Sequence, residues 1–293
     1  MSALSTNLDF KLLREDIYEH GITSLPNILP VQWADEADED VSLQFLDALK
    51  IENGEGVAFR GWSRYYLELY PERLRGFVAL VTNPAIAQLS REVLGDTYEI
   101  VELGADIALP GAPDQPPHRD FPLPEPTRLH RRLTSLAFNA STVDVTPAMG
   151  PFNVAPGTHF DDEPDFVQDM FPVGEKKEAY NQRMEQRLAK RGSVSARSGL
   201  ALHRGSLNSS RIRPVIILGV VSTEDRAHSA TIIDLPPDYQ APTLKVSQAF
   251  YDSLDAELKQ HLRCDIVAPT TADLPPLKTP HSIEGLVMGK APA

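Results

Sequence analysis

The chain has 293 residues, 42% of them hydrophobic and 24% charged, and a formal net charge of −13 at pH 7. These figures describe a soluble globular protein of one large or two small domains, and the acid excess argues against a nucleic-acid partner, which needs a basic surface. No apolar run approaches the roughly 18–20 residues of a membrane span, and the opening MSALSTNLDFKLLRED lacks the apolar stretch of a signal peptide.

The first hundred residues read as mainly helical. NLDFKLLREDIYEHG carries apolar residues at helical spacing and stops at Gly21. DEDVSLQFLDALK and SRYYLELYPERLRGFVALV continue the pattern, and TNPAIAQLSREVLG opens on a Thr/Asn cap with proline in its first turn. From Tyr98 the texture changes. YEIVELGADIAL is strand-like, a proline-rich loop APDQPPHRDFP follows, and LTSLAFNAS and GPFNVAPG are short β-prone pieces between turn residues. GEKKEAYNQRMEQRLAKRG reads as a charged amphipathic helix inserted over the sheet. GSVSARSGLALH, RPVIILGVVS and HSATIIDL complete the strands. Many short strands with Gly/Pro turns predict a mainly β sandwich or barrel, backed by the N-terminal helices. The expected organisation is a single domain over 1–293: a helical layer to 97, a β core over 98–235 with a helical insert at 174–191, and a C-terminal segment over 236–293.

The lone cysteine, Cys264, allows no intramolecular disulfide, fits a reducing cytoplasm, and reads as an ordinary partly buried residue rather than a nucleophile. The histidines carry more. Residues two apart on an extended chain point to one side, so His-x-Asp presents two ligands on one face of an ion, and a distant histidine can close the triad. Two such dyads occur, His118-Arg119-Asp120 and His159-Phe160-Asp161. The first follows a strand and Gln115; the second follows a turn and opens an acidic run, which reads as a turn cap. Downstream, His203 closes a β-like segment, GSLNSS reads as a turn, and Arg213 stands at the start of the next strand. A guanidinium there suits a carboxylate ligand, and Arg211, of the same parity, is its rival.

These residues stand in the order of a known family. Gln115, His118 and Asp120 give Q-x-x-H-x-D; GPFNVAPGTH resembles a strand-and-turn signature ending in Pro-Gly-Ser-His; Gly192 falls eleven residues before His203; and HRGSLNSS resembles a His-x-Gly-x-x-Asn-x-Ser turn. Over about 120 residues, Val101 to Val221, the chain resembles the phytanoyl-CoA dioxygenase-like Fe(II)/2-oxoglutarate oxygenases. The resemblance implies a double-stranded β-helix of jelly-roll, cupin-like form. It implies Fe(II) held by His118, Asp120 and His203, with 2-oxoglutarate and O₂ as cosubstrates. Arg213, or else Arg211, pairs with the far carboxylate of 2-oxoglutarate, and Gln115 bonds its metal-proximal part. His159 falls on the turn histidine, not on a metal ligand. The family's aspartate after the glycine is Ser193 here, and its arginine lies eleven residues past the distal histidine, against ten for Arg213.

The implied reaction is hydroxylation of an unactivated C–H bond in a small natural-product or acyl-type substrate, with release of succinate and CO₂. Desaturation, rearrangement and endoperoxidation share the same oxidising centre. Asp120 argues against halogenation, since halogenases of this superfamily carry Gly or Ala at that position. Trp62, Tyr65 and Phe171 are candidate apolar contacts for the substrate. A cupin-like metalloenzyme without 2-oxoglutarate is the rival, but it leaves Arg213 and Gln115 without a role. Monomer and homodimer both stay open.

Overall fold

Two long segments, Tyr98–Ala108 and Arg213–Ser222, divide their side chains between two environments, as extended chain requires. Leu103, Ala105 and Ile107 of the first, and Ile216, Leu218 and Val220 of the second, enter the main hydrophobic core. Glu102, Asp106, Arg213, Val215, Ile217 and Gly219 point the other way and line a cavity. The computed structural model describes residues 8–162, 166–167, 169–224, 243–270, 274 and 277.

The chain opens with helix α1 (Phe10–His20), strand β1 (Ile22–Leu25) and helix α2 (Val31–Ala48). Strands β2 (Ala58–Phe59) and β3 (Arg64–Glu68), helices α3 (Phe77–Val81) and α4 (Pro84–Leu94) and strand β4 (Tyr98–Ala108) follow. Next come α5 (Glu125–His130), β5 (Ser135–Ser141), β6 (Phe152–Val154), β7 (Phe166–Val167), β8 (Phe171–Pro172) and α6 (Gly174–Gln182). The barrel closes with β9 (Glu185–Arg187), β10 (Val194–Arg197), β11 (His203–Gly205) and β12 (Arg213–Ser222). Beyond it, β13 (Leu244–Ser247) pairs in parallel with β14 (Cys264–Ala268), and two short helices, Gln248–Ser253 and Ala256–Gln260, lie between them.

The seven-stranded sheet has the order β1-β10-β5-β12-β4-β3-β2, and a three-stranded sheet has the order β11-β6-β9. Every pairing within them is antiparallel. Residues of both sheets line the same cavity, as befits a double-stranded β-helix. The outer face of the large sheet is covered by helices: Ile17, Trp33, Ala37, Val41, Ile86 and Leu89 share one core with Phe138 and Leu218. That burial, at roughly 25 cal/mol per Å², is what ties the helical layer to the barrel.

Local signals account for the helix ends. Asp9 accepts hydrogen bonds from the backbone N–H groups of Lys11 and Leu12, and Gly21 closes α1 in the left-handed region. Asn83 caps α4 ahead of Pro84. Gly192, at φ 81°, passes its N–H to Ser141 and accepts from Leu29, joining helical layer and barrel.

Three expectations fail. The SRYYLELYPERL stretch is not helical: Arg64–Glu68 is strand β3, paired with β4, and Pro71–Arg73 is a single 3₁₀ turn. Its adjacent tyrosines suit a pleated surface, and a partner strand outweighs weak helix propensity. The insert at 174–191 is helical only over Gly174–Gln182; Glu185–Arg187 becomes β9, paired with β6. His203 opens a strand rather than closing one, because β10 ends at Arg197. HSATIIDL lies outside the described residues. Among the described residues no helix is long and apolar enough to cross a membrane.

Candidate active site

The proline-rich segment after β4 runs beside β11. His118 and His203 exchange both backbone hydrogen bonds, N to O at 3.0 and 2.9 Å, an antiparallel bridge that sets their rings 4.5 Å apart between centroids. The Nδ1 atom of His118 lies 2.9 Å from the Pro116 carbonyl, and that of His203 lies 2.8 Å from the Ala201 carbonyl. A carbonyl only accepts, so each Nδ1 carries the proton and each Nε2 keeps its lone pair for a metal.

Asp120 is held by its own N–H to the Gly199 carbonyl at 2.7 Å. Its Oδ1 lies 3.2 Å from His203 Nε2, and ligand atoms of His118, Asp120 and His203 fall within 4.8 Å of one another. Among the described residues this is the one His/Cys/Asp/Glu cluster able to hold a metal. The other carboxylate oxygen, Oδ2, accepts from Arg197 Nη1 at 2.6 Å. Burial alone would raise the Asp120 carboxyl, but the Arg197 guanidinium is the foremost of the neighbours that outweigh it and hold it well below the carboxylate range. Burial, helped by Arg197, pushes His203 down to about 4. The site therefore offers an unprotonated imidazole at position 203 and an ionised carboxylate near neutrality, a donor set that fits a facial iron centre.

The cavity beside the triad has a volume of about 750 Å³ and reaches Arg213. Arg213 is 3% exposed. Its Nη2 donates to Asp106 Oδ2 at 2.9 Å, and Arg64 Nη1 donates to the same oxygen at 3.0 Å. Two guanidinium groups on one carboxylate leave surplus positive charge, and Nε of both arginines is buried without a partner. Burial would raise Asp106, but these two neighbours hold it below its ordinary value. Arg211 is exposed, outside the cavity lining, with Nε on the Met149 sulfur at 3.4 Å. Gln115 lines the cavity and bridges backbone on both sides, donating to the Arg60 carbonyl at 2.8 Å and accepting from Gly205 N–H at 2.9 Å.

The second dyad does not join the triad. His159 is fully buried, donating from Nε2 to the Tyr18 carbonyl at 3.2 Å, while the Asp161 carboxylate accepts from Tyr180. Of the three aromatic candidates, Phe171 stacks on the His118 ring at 5.9 Å, Tyr65 packs against Phe45 and Phe59, and Trp62 is 56% exposed. Cys264 lies half-buried in β14, its thiol pushed up to about 12 by burial. Sequence reasoning missed Arg197, Arg64, Asp106, Tyr66 and Glu102. A usable signal was present in YEIVELGADIAL, where Glu102 and Asp106 share one parity while Leu103, Ala105 and Ile107 take the other.

A double-stranded β-helix with this donor set is the frame of oxygenases that consume 2-oxoglutarate, and the chain is a non-haem iron 2-oxoglutarate dioxygenase that uses Fe(II), 2-oxoglutarate and O₂. The family described as Phytanoyl-CoA dioxygenase (PhyH) matches residues 58–215, more than half of the sequence. The chain belongs to that family, and the reading without 2-oxoglutarate gives way to it.

Solved structures share the fold. EctD from S. alaskensis, solved with bound Fe, superposes with a TM-score of 0.57 at 16% identity, covering 77% of this chain and 81% of that one. SnoK, a non-heme alpha-ketoglutarate-dependent carbocyclase from nogalamycin biosynthesis, gives 0.58 at 16% identity, covering 76% and 91%. AviO1 from Streptomyces viridochromogenes Tue57 gives 0.56 at 15% identity, covering 74% and 96%. No curated protein matches the sequence.

Proposed function

We propose that this single-domain oxygenase hydroxylates an unactivated C–H bond of a small natural-product or acyl-type molecule, releasing succinate and CO₂. In this reading His118, Asp120 and His203 hold the iron, and Arg213 takes the far carboxylate of 2-oxoglutarate. The observation that carries it is the convergence of three ligand atoms within 4.8 Å on a cavity that also contains Arg213. Fe(II), 2-oxoglutarate and O₂, when bound, supply the oxidising power.

The chain's own residues shape the rest. Arg197 occupies one oxygen of Asp120, so the carboxylate offers the metal a single oxygen and leaves coordination positions open. Asp106 orients Arg213, and Arg64 adds the second positive charge at that end. Arg213 is preferred over Arg211 because it is buried in the cavity wall and Arg211 is exposed. Gln115 keeps one amide N–H and one lone pair beyond its two backbone bonds, enough to reach the metal-proximal part of the cosubstrate. Substrate pose, rather than a further motif, decides between hydroxylation and the desaturation, rearrangement or endoperoxidation that share the centre; SnoK is described as a carbocyclase. The single cysteine sits well with a reducing, cytoplasmic location.

A substrate library tests this reading. The expected result is succinate formation coupled to O₂ uptake, with a product heavier by one oxygen atom. Loss of two hydrogens instead would overturn hydroxylation. Failure of the protein to bind 2-oxoglutarate would overturn the assignment of its residues.

A further inference from the structure

One rung of the large sheet crosses the chamber. Glu102 pairs with Gly219, Gly219 with Ala137, and Ala137 with Arg197, and all four line the cavity. The two middle residues are among the smallest available, so the rung is a trough about 14 Å across, three strand spacings. At one end Arg197 grips Asp120. At the other, Glu102 accepts a hydrogen bond from the Tyr66 hydroxyl at 2.5 Å.

The fold makes room for this pair. A Cβ on Gly219 would stand 2.6 Å from Glu102 Oε2, and one on Gly104 would stand 2.2 Å from the Tyr66 hydroxyl oxygen. Other carboxylates on the cavity have cations: Asp106 has Arg64 and Arg213, Asp120 has Arg197, and Glu68 has Lys245 at 2.7 Å. Among the described residues Glu102 has no cation within ion-pair distance; Tyr66 is its hydrogen-bond partner, and Arg60, over the Tyr66 ring at 4.8 Å, and Arg197 act on it only from farther off. On the next rung, Asn139 lines the cavity with an amide oxygen that is buried and meets no donor. The 2-oxoglutarate dianion carries acceptors only and can satisfy neither group. A ligand that brings hydrogen-bond donors and a positive charge would satisfy the Asn139 oxygen and offset the half-buried Glu102 carboxylate together. An ammonium group brings both. Burial holds the Glu102 carboxyl above its ordinary value against the pull of the Tyr66 bond, the state that a cation would relieve.

We propose that Glu102, braced by Tyr66, anchors the primary substrate through a protonated amine. The rest of the molecule then lies along the Gly219–Ala137 trough toward the iron ligands. This rests on the oxygenase reading and narrows its substrate class to amine-bearing small molecules. Glu102 sets specificity and takes no part in the oxidation.

The test uses protein loaded with Fe(II) and 2-oxoglutarate under argon, titrated calorimetrically with matched sets. n-Butylammonium, cyclohexylammonium and pyrrolidinium are compared with alcohols and carboxylates of the same skeletons. The ammonium compounds are expected to bind at millimolar concentration and the others to bind more weakly. Glu102→Gln, which keeps the shape and the Tyr66 bond, is expected to weaken the ammonium compounds by at least about tenfold. Glu102→Asp is expected to retain the preference at reduced affinity. Preference for alcohols or carboxylates, unchanged ammonium binding in Glu102→Gln, or no ammonium binding by protein that does bind 2-oxoglutarate would each overturn the proposal. Failure to bind 2-oxoglutarate itself would strike the underlying oxygenase reading, and the proposal with it.

Discussion

Asp120 turns one oxygen toward His203 and the other to Arg197, and most predictions at the residue scale follow from that division and its neighbours. His118→Ala or His203→Ala is expected to abolish Fe(II) binding, measured by metal titration, together with turnover, because either change removes one of the three proposed ligands. Arg213→Ala removes the proposed charge-assisted anchor and is expected to raise the 2-oxoglutarate requirement by about 30-fold or more, on the order of 2 kcal/mol. Arg211→Ala should stay within about twofold, in keeping with small effects at exposed sites. The reverse ranking would exchange their roles. The convergence of His118 with Asp120 was legible because it is local: two residues on one extended segment share a face whatever surrounds them. Arg197, Arg64 and Glu102 were not, because each meets its partner only through a strand register that spacing along the chain does not specify.

At the element scale, the long strands were legible from alternation and the capped helices from their ends, as α4 illustrates with Asn83, Pro84 and Gly95. Short elements were not. RYYLE and EQR are strands because β4 and β6 supply partners, a tertiary cause that local propensity cannot express. The strand β5 carries the clearest stability test. Phe138 is 1% exposed on its helix-facing side, between β10 and β12. Phe138→Ala is expected to cost about 3–5 kcal/mol in urea unfolding. At temperatures where the variant stays folded, 2-oxoglutarate affinity should change little, because the cavity lies on the other face. A large loss of affinity without loss of stability would contradict that two-sided picture.

For the whole molecule, the two buried histidines held down to about 4, His159 and the apoprotein's His203, are expected to make stability fall in acid. His159 is buried where α1 meets the barrel, and burial pushes it down to about 4 from an ordinary 6.5. Above pH 6.5 it is neutral both folded and unfolded and contributes no pH dependence. Between 6.5 and about 4 the unfolded chain takes up the proton and the folded chain does not, so stability falls as pH falls. A depression of that size is worth about 3 kcal/mol. Unfolding free energies measured across this window should show the slope, and His159→Gln should remove about half of it, the remainder belonging to His203; an unchanged slope would assign the lability elsewhere.

The backbone bridge between His118 and His203 has a consequence for metal exchange. Peptide hydrogen bonds already fix the spacing of the two imidazoles, so loading an ion creates little new order and losing one destroys little. The apoprotein should therefore accept cobalt or nickel without rearrangement, giving a correctly shaped but catalytically silent enzyme whose occupancy follows whichever divalent ion its surroundings supply.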